Sequence, residues 1–216
     1  RTCLITRALH SPSLIRGHLE LESIRNIDFK KMKKNLGIDY FFTDIDDTLV
    51  ITDAKIIVTD IDSGETLSLS PEDFNSYQAN DKHVLDFDEF KSLEILKAGK
   101  LIEKYLKVLE VNYKKDNAIG VITARDDQDL IFTWLKEHVG FHVDKKLIFA
   151  VNDPIHGFEG NIADKKKQAF TEFINMGYNQ LTFFDDDREN IKIIRKVAKE
   201  NPDLKKGMYE IVKTWA

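Results

Sequence analysis

The stretch Tyr40-Phe41-Phe42-Thr43-Asp44-Ile45-Asp46-Asp47-Thr48-Leu49 decides how this chain folds. Its first four residues are apolar or β-branched and too few for a helix, so they read as a buried strand. The strand stops abruptly in carboxylates at Asp44, Asp46 and Asp47. Loop acids are usually mixed with Gly, Ser or Lys. Acids placed directly on the end of an apolar strand point instead to a site.

Working outward, the same pattern recurs downstream. Ala118–Thr123, Leu147–Val151 and Leu181–Phe184 read as strands, and Met208–Val212 as a last short one. Helices are expected between them over Asp126–Val139, Asp164–Met176 and Glu189–Ala198. This alternation predicts an α/β chain, a Rossmann-like three-layer fold with a mostly parallel central sheet covered on both faces. In such sheets ligands bind beyond the carboxyl ends of the strands.

The interval after the first strand departs from the alternation. Lys55–Thr59 and Thr66–Leu69 are β-rich and flank Asp62-Ser63-Gly64-Glu65, which has turn chemistry, so a hairpin is expected. Ser70-Pro71-Glu72-Asp73 has the form of a helix start, with Ser as N-cap and Pro in the first turn. Phe87–Leu109 carries Phe90, Leu93, Leu96, Ile102, Leu106 and Leu109 at helical spacing, with a break near Gly99. The expectation is one domain over 37–216, with a small hairpin and helical flap or cap inserted at about 52–90.

With 216 residues the chain can bury a sizeable core. Residues 1–36 hold eight Lys/Arg and three Asp/Glu, against a whole-chain net charge of -5, and read as a basic N-terminal arm. Its opening, RTCLITRALHSPSLIRGH, is Arg-bearing and acid-free like a transit peptide, but lacks the apolar centre of a secretory signal. A first residue of Arg fits a processed form or a fragment. A single cysteine, Cys3, allows no internal disulfide and suits a reducing, cytoplasmic setting. No apolar run reaches the roughly 20 residues that span a bilayer, so no membrane partner is expected.

Three strand ends carry polar clusters: Asp44 to Thr48, Thr123-Ala124-Arg125-Asp126, and Asp185-Asp186-Asp187. If those strands are neighbours, five or more carboxylates converge, and like charges raise one another's pKa. A divalent cation relieves this, and all-oxygen ligation favours magnesium (Mg2+). Asp126 and Asp164, each just before an expected helix, read better as caps, while Asp47 and Asp187 suit either role. Asp44-x-Asp46-x-Thr48 also begins like a calcium loop. It fails at its sixth position, Leu49 instead of Gly, and its twelfth, Lys55 instead of Glu. The six histidines show no metal-ligand spacing, and no Gly-rich Walker loop is present.

These residues resemble a known family. An apolar strand followed by Asp44-x-Asp46-x-Thr48-Leu49 is similar to the first motif of the haloacid-dehalogenase-like phosphohydrolases. Val121-Ile122-Thr123 resembles the second, and Phe183-Phe184-Asp185-Asp186-Asp187 the fourth. The third motif is a lone lysine near a helix start, for which Lys165-Lys166-Lys167 supplies candidates. Ala169, Phe170, Phe173 and Ile174 mark that helix's buried stripe, and at about 100° per residue Lys166 falls nearest its centre. The Ile-Thr-Ala-Arg and Asp-Asp-Asp-Arg forms are similar to small phage and bacterial members and to the 3'-phosphatase domain of polynucleotide kinases.

The resemblance implies roles. Asp44 is the nucleophile, and Asp46 protonates the leaving oxygen and later activates water. Thr123 and Lys166 hold the phosphoryl oxygens. Mg2+ sits on the carboxylates of Asp44 and Asp186 and on a backbone carbonyl at Asp46. Asp185 orients Lys166 or the metal shell, and its role can be exchanged with that of Asp186. Asn190 holds a metal water or serves the helix. Arg125 either grips a second substrate anion or forms a salt bridge with a neighbouring acid. The implied activity is a phosphomonoesterase acting through an aspartyl-phosphate, on a phosphorylated small molecule or a nucleic-acid 3'-phosphate end. A phosphotransferase of the same fold, or a non-catalytic nucleic-acid or partner-binding protein, are the alternatives.

Overall fold

A computed structural model describes residues 40–114 and 118–210, so the expected basic arm 1–36 lies outside the described residues. The apolar run forms strand β1 (Tyr40–Thr43) at the centre of a five-stranded sheet. The others are β7 (Ala118–Thr123), β8 (Ile148–Ala150), β9 (Gln180–Asp185) and β10 (Lys205–Glu210). Every pairing is parallel, in the spatial order β10-β9-β1-β7-β8. Counted along the chain this order is 5-4-1-2-3. Its direction reverses at β1, as in Rossmann-like sheets, and such a reversal opens a crevice at the strands' carboxyl ends.

Helices complete the crossovers. They are α3 (Glu103–Tyr113), α4 (Gln128–Trp134), α5 (Ile162–Asn175) and α6 (Arg188–Glu200). Helices α3 and α5 pack on β7, α4 on β8 and α6 on β9. Beneath the crevice, Phe42 stacks on Phe173 at 3.8 Å between centroids, and Phe149 meets Phe173 edge-on at 4.9 Å. Gly120 lies opposite Phe42 in the β1–β7 register. A Cβ there would come within 2.5 Å of the Phe42 ring and 2.7 Å of the Leu147 carbonyl oxygen, so only glycine leaves the ring its place. Among the described residues no helix is long and apolar enough to cross a membrane.

The insertion differs from expectation in two respects. The predicted hairpin is present as β3 (Ile56–Asp60) and β4 (Thr66–Leu69), antiparallel with Ile56 opposite Leu69. A third strand, β5 (His83–Asp86), joins the free edge of β3. Helix α1 (Pro71–Ser76) starts where Ser70 marks it, the Asp73 N–H donating to the Ser70 hydroxyl at 3.1 Å. The single broken helix expected over Phe87–Leu109 is instead four pieces. These are a 3-10 turn (Asp88–Lys91), α2 (Leu93–Ala98), β6 (Lys100–Leu101) and α3. Gly99 is the reason. A Cβ there would lie 2.5 Å from Val50 Cγ2 and 2.9 Å from the Ile51 carbonyl oxygen, so the chain passes close to β2 (Val50–Ile51) and pairs with it through β6.

Two helix caps also differ. Helix α4 is capped by Asp127, which accepts from the Leu130 N–H at 2.9 Å, and not by Asp126. Helix α5 begins two residues before Asp164, and its cap is Asn161, which accepts from the Asp164 N–H at 2.9 Å. In each case the residue that keeps extended backbone takes the cap. The α4 path continues as a π-type turn (Leu135–Val139) up to Gly140 at φ 85°. The last strand begins three residues earlier than expected, and its expected end at 211–212 lies outside the described residues.

Candidate active site at the sheet reversal

Because β1, β7 and β9 are neighbours, their ends bring the three polar clusters together. Asp44 continues β1, its N–H donating to the Phe184 carbonyl of β9 at 2.9 Å. The chain then winds tightly, with the Ile45 carbonyl accepting from the N–H groups of Leu49 (2.8 Å) and Val50 (3.1 Å). Asp47 takes a left-handed conformation at φ 54° within this turn. The Ile45 N–H donates to Asp44 Oδ1 at 2.8 Å, which fixes the carboxylate from below.

Lys166 links the two strand ends. It is buried in the first turns of α5, and its Nζ donates at 2.7 Å both to Asp44 Oδ2 and to Asp185 Oδ2. Of the other two lysines, Lys165 donates to Asn152 Oδ1 at 2.8 Å, and Lys167 is exposed. Burial disfavours the charge on Lys166, but Asp185 and Asp44 outweigh burial and hold its pKa above the ordinary lysine value.

Asp185 is wholly buried and fully engaged. Its Oδ1 accepts from the Asp187 N–H at 2.8 Å and from Asn190 Nδ2 at 3.1 Å. Its Oδ2 accepts from Lys166 and, at 3.2 Å, from Asn190. Burial pushes its carboxyl up to about 6, against the pull of Lys166 and with the help of Asp44. Of the two roles considered for Asp185, orienting Lys166 is the one these contacts serve. Asn190 likewise serves Asp185. Asp187 caps α6, accepting from the Glu189 N–H at 2.8 Å.

Asp44, Asp185 and Asp186 offer carboxylate oxygens that all lie within 4.8 Å of one another. The donors are all hard oxygens. The set suits a divalent cation of the magnesium or calcium kind. The Asp46 side chain is not in this group.

Asp46 turns instead to Arg125. Arg125 Nε donates to Asp46 Oδ2 at 2.9 Å and Nη2 to Oδ1 at 2.7 Å, a two-pronged pair. Arg125 Nη1 also donates to the Phe90 carbonyl, and its guanidinium lies over the Phe90 ring, 5.6 Å from the centroid. Of the two readings of Arg125, the salt bridge is the one present. Burial raises the Asp46 pKa even though Arg125 opposes it, and Asp44 and Asp47 add to the rise. Thr123 is buried at the end of β7, with its hydroxyl receiving the Arg125 N–H at 3.5 Å.

Phe90 and Lys91 were not visible as site residues in the sequence. They reach the strand ends only because the segment after β5 folds as a 3-10 turn, whereas the spacing of Phe90 suggested a helix stripe. Lys91 Nζ lies 3.6 Å from Asp126, which joins the wall of the crevice. No family model matches the chain, and no curated protein matches it.

Proposed function

We propose that this chain is a magnesium-dependent phosphomonoesterase of the haloacid-dehalogenase-like kind that works through an aspartyl-phosphate on Asp44. The observation that carries the reading is the pair of 2.7 Å contacts from buried Lys166 to Asp44 and Asp185 at the sheet reversal. They hold a carboxylate rigidly at a strand end beside a cation, where a phosphoryl group can be received. The three-layer arrangement, with helices on both faces, belongs to this proposal.

In the proposed reaction an Asp44 oxygen attacks phosphorus and the bond from phosphorus to the leaving oxygen breaks. Asp46 delivers its proton to that oxygen, a role suited to a carboxyl whose pKa is raised by burial. Water then attacks the aspartyl-phosphate, Asp46 takes its proton, and the Asp44–phosphorus bond breaks to release phosphate. Lys166 and the Thr123 hydroxyl receive the phosphoryl oxygens as charge moves onto them. Asp46 must first loosen its two-pronged hold on Arg125, which sets a substrate-linked step before proton transfer.

Asp44 and Asp186 are the carboxylates proposed to hold Mg2+, because each Asp185 oxygen already accepts two hydrogen bonds. When bound, the ion lowers the repulsion between an anionic nucleophile and an anionic phosphate. The test is hydrolysis of 4-nitrophenyl phosphate. Activity is expected in the presence of Mg2+ and is expected to vanish in Asp44→Asn. Equal turnover by that variant, or none by the wild type with any divalent ion, overturns the proposal.

A further inference from the structure

The connection from β7 to α4, Ala124 to Asp127, carries Arg125 and follows Thr123 directly. Sheet pairing between β7 and β8 stops at Thr123 opposite Ala150, so the backbone carbonyls beyond it must find donors elsewhere. The residues just past β8 supply them. The Val151 N–H donates to the Thr123 carbonyl at 2.8 Å, and the Asn152 N–H to the Arg125 carbonyl at 3.2 Å. Between these two, Asn152 Nδ2 donates to the Ala124 carbonyl at 2.6 Å. Asp153 grips the far end of the connection, its Oδ2 accepting from the Gln128 N–H at 3.1 Å. Gln128 is buried in turn, its Nε2 donating to the carbonyls of Lys145 at 3.0 Å and Ile148 at 2.6 Å.

The Asn152 amide has one orientation that satisfies both its neighbours. A carbonyl only accepts and an ammonium only donates. Asn152 meets the first with Nδ2, at Ala124, and the second with Oδ1, which accepts from Lys165 Nζ at 2.8 Å. A side chain locked at both ends in this way fixes the backbone it holds.

From this we infer that Asn152 is a positioning residue of the active site. Through the Ala124 carbonyl its side-chain amide sets the segment that presents the Thr123 hydroxyl and the Arg125 guanidinium. The kinetic part of this inference rests on the phosphomonoesterase reading above. Arg125 makes three directed contacts, with Nε and Nη2 on Asp46 and Nη1 on the Phe90 carbonyl, so its fork is aimed by where its backbone lies. Misplacing an active-site group by about 1 Å costs up to about 10²-fold in rate. Asn152 thus acts on the reaction through Thr123 and Arg125, its neighbours across the sheet end.

The test follows hydrolysis of 4-nitrophenyl phosphate in Mg2+ by the full chain, beside the NMR resonance of the Arg125 Nε–H, identified by its loss in Arg125→Lys. Asn152→Asp has the same shape and keeps an acceptor for Lys165, but an ionised carboxylate cannot donate to the Ala124 carbonyl. It is expected to lower kcat about tenfold or more with KM held within about twofold, and to shift or broaden the Arg125 signal. Asn152→Ala is expected to behave alike. Lys165→Met leaves the bond to Ala124 in place, and is expected to keep kcat within about twofold and the signal unmoved. Wild-type kcat in Asn152→Asp overturns the inference, and so does a kcat loss with the signal unmoved. A rise in KM alone would make Asn152 a substrate contact, and a loss confined to Lys165→Met would assign the effect to that charge; either result overturns it. If the wild type hydrolyses no 4-nitrophenyl phosphate, the phosphomonoesterase reading falls and the Arg125 signal alone decides. A signal moved by Asn152→Asp then supports the hold of Asn152 on this segment, and an unmoved one overturns it.

Discussion

At the residue scale the site rests on one cation shared by two buried acids. Replacing Lys166 with Met removes that cation and leaves Asp44 and Asp185 facing each other without compensation. Breaking a buried pair in this way costs about 3–5 kcal/mol. A carboxyl whose pKa is raised favours the folded state where it is protonated. For Asp185 that contribution fades as pH rises through about 6. The loss of Tm in Lys166→Met is therefore expected to be larger above pH 6 than below it. Thermal melts at several pH values, without divalent ion, check this. An unchanged deficit across the range would mean that lost packing, not charge, dominates. Activity of the same variant is expected to fall by about 10²–10³, the usual loss of one preorganised charge contact.

At the scale of elements, β1, β7 and β9 were legible because short apolar runs ending in acids have few other readings. Lys166 was legible too, since the buried stripe of α5 points one face of that helix at the sheet. What escaped lay in the insertion. Strand β5 is short, has alternating half-buried residues and begins and ends in polar residues, so its pairing depends on β3 and not on its own composition. Phe87 and Phe90 fit a helical stripe as well as they fit a turn, and Gly99 settles the matter only through its distance to Val50. Asp46 was assigned by position in its motif, but its contact with Arg125 spans 79 residues, beyond any local pattern. Gly120 tests the packing beneath the site. Gly120→Ala forces its Cβ into the Phe42 ring and the Leu147 carbonyl, and is expected to cost about 1–3 kcal/mol, several degrees of Tm. A variant as stable as the wild type would show that β1 and β7 can separate without loss.

At the scale of the molecule, the parallel sheet with its reversal at β1 sets where the site is. Acids accumulate at the reversal because the ends of β1 and β9 meet there, with Lys166 shared between Asp44 and Asp185. A cation that binds only the native state raises stability by about 2.7 kcal/mol at one hundred times its Kd. Adding Mg2+ is therefore expected to raise Tm, adding chelator to reverse the gain, and Asp186→Asn to abolish most of it. A Tm indifferent to Mg2+ would argue that Lys166 alone balances the cluster.

The central claim is that Asp44 takes the phosphoryl group. The direct measurement is to mix the protein with Mg2+ and 4-nitrophenyl phosphate, quench it in acid and map its peptides by mass spectrometry. The expected result is a mass gain of one phosphoryl group on Asp44, removed by hydroxylamine and absent from Asp44→Asn. Hydrolysis that proceeds with no phosphoryl group on Asp44 in a quench fast enough to trap it, or with the label on another residue, would contradict it.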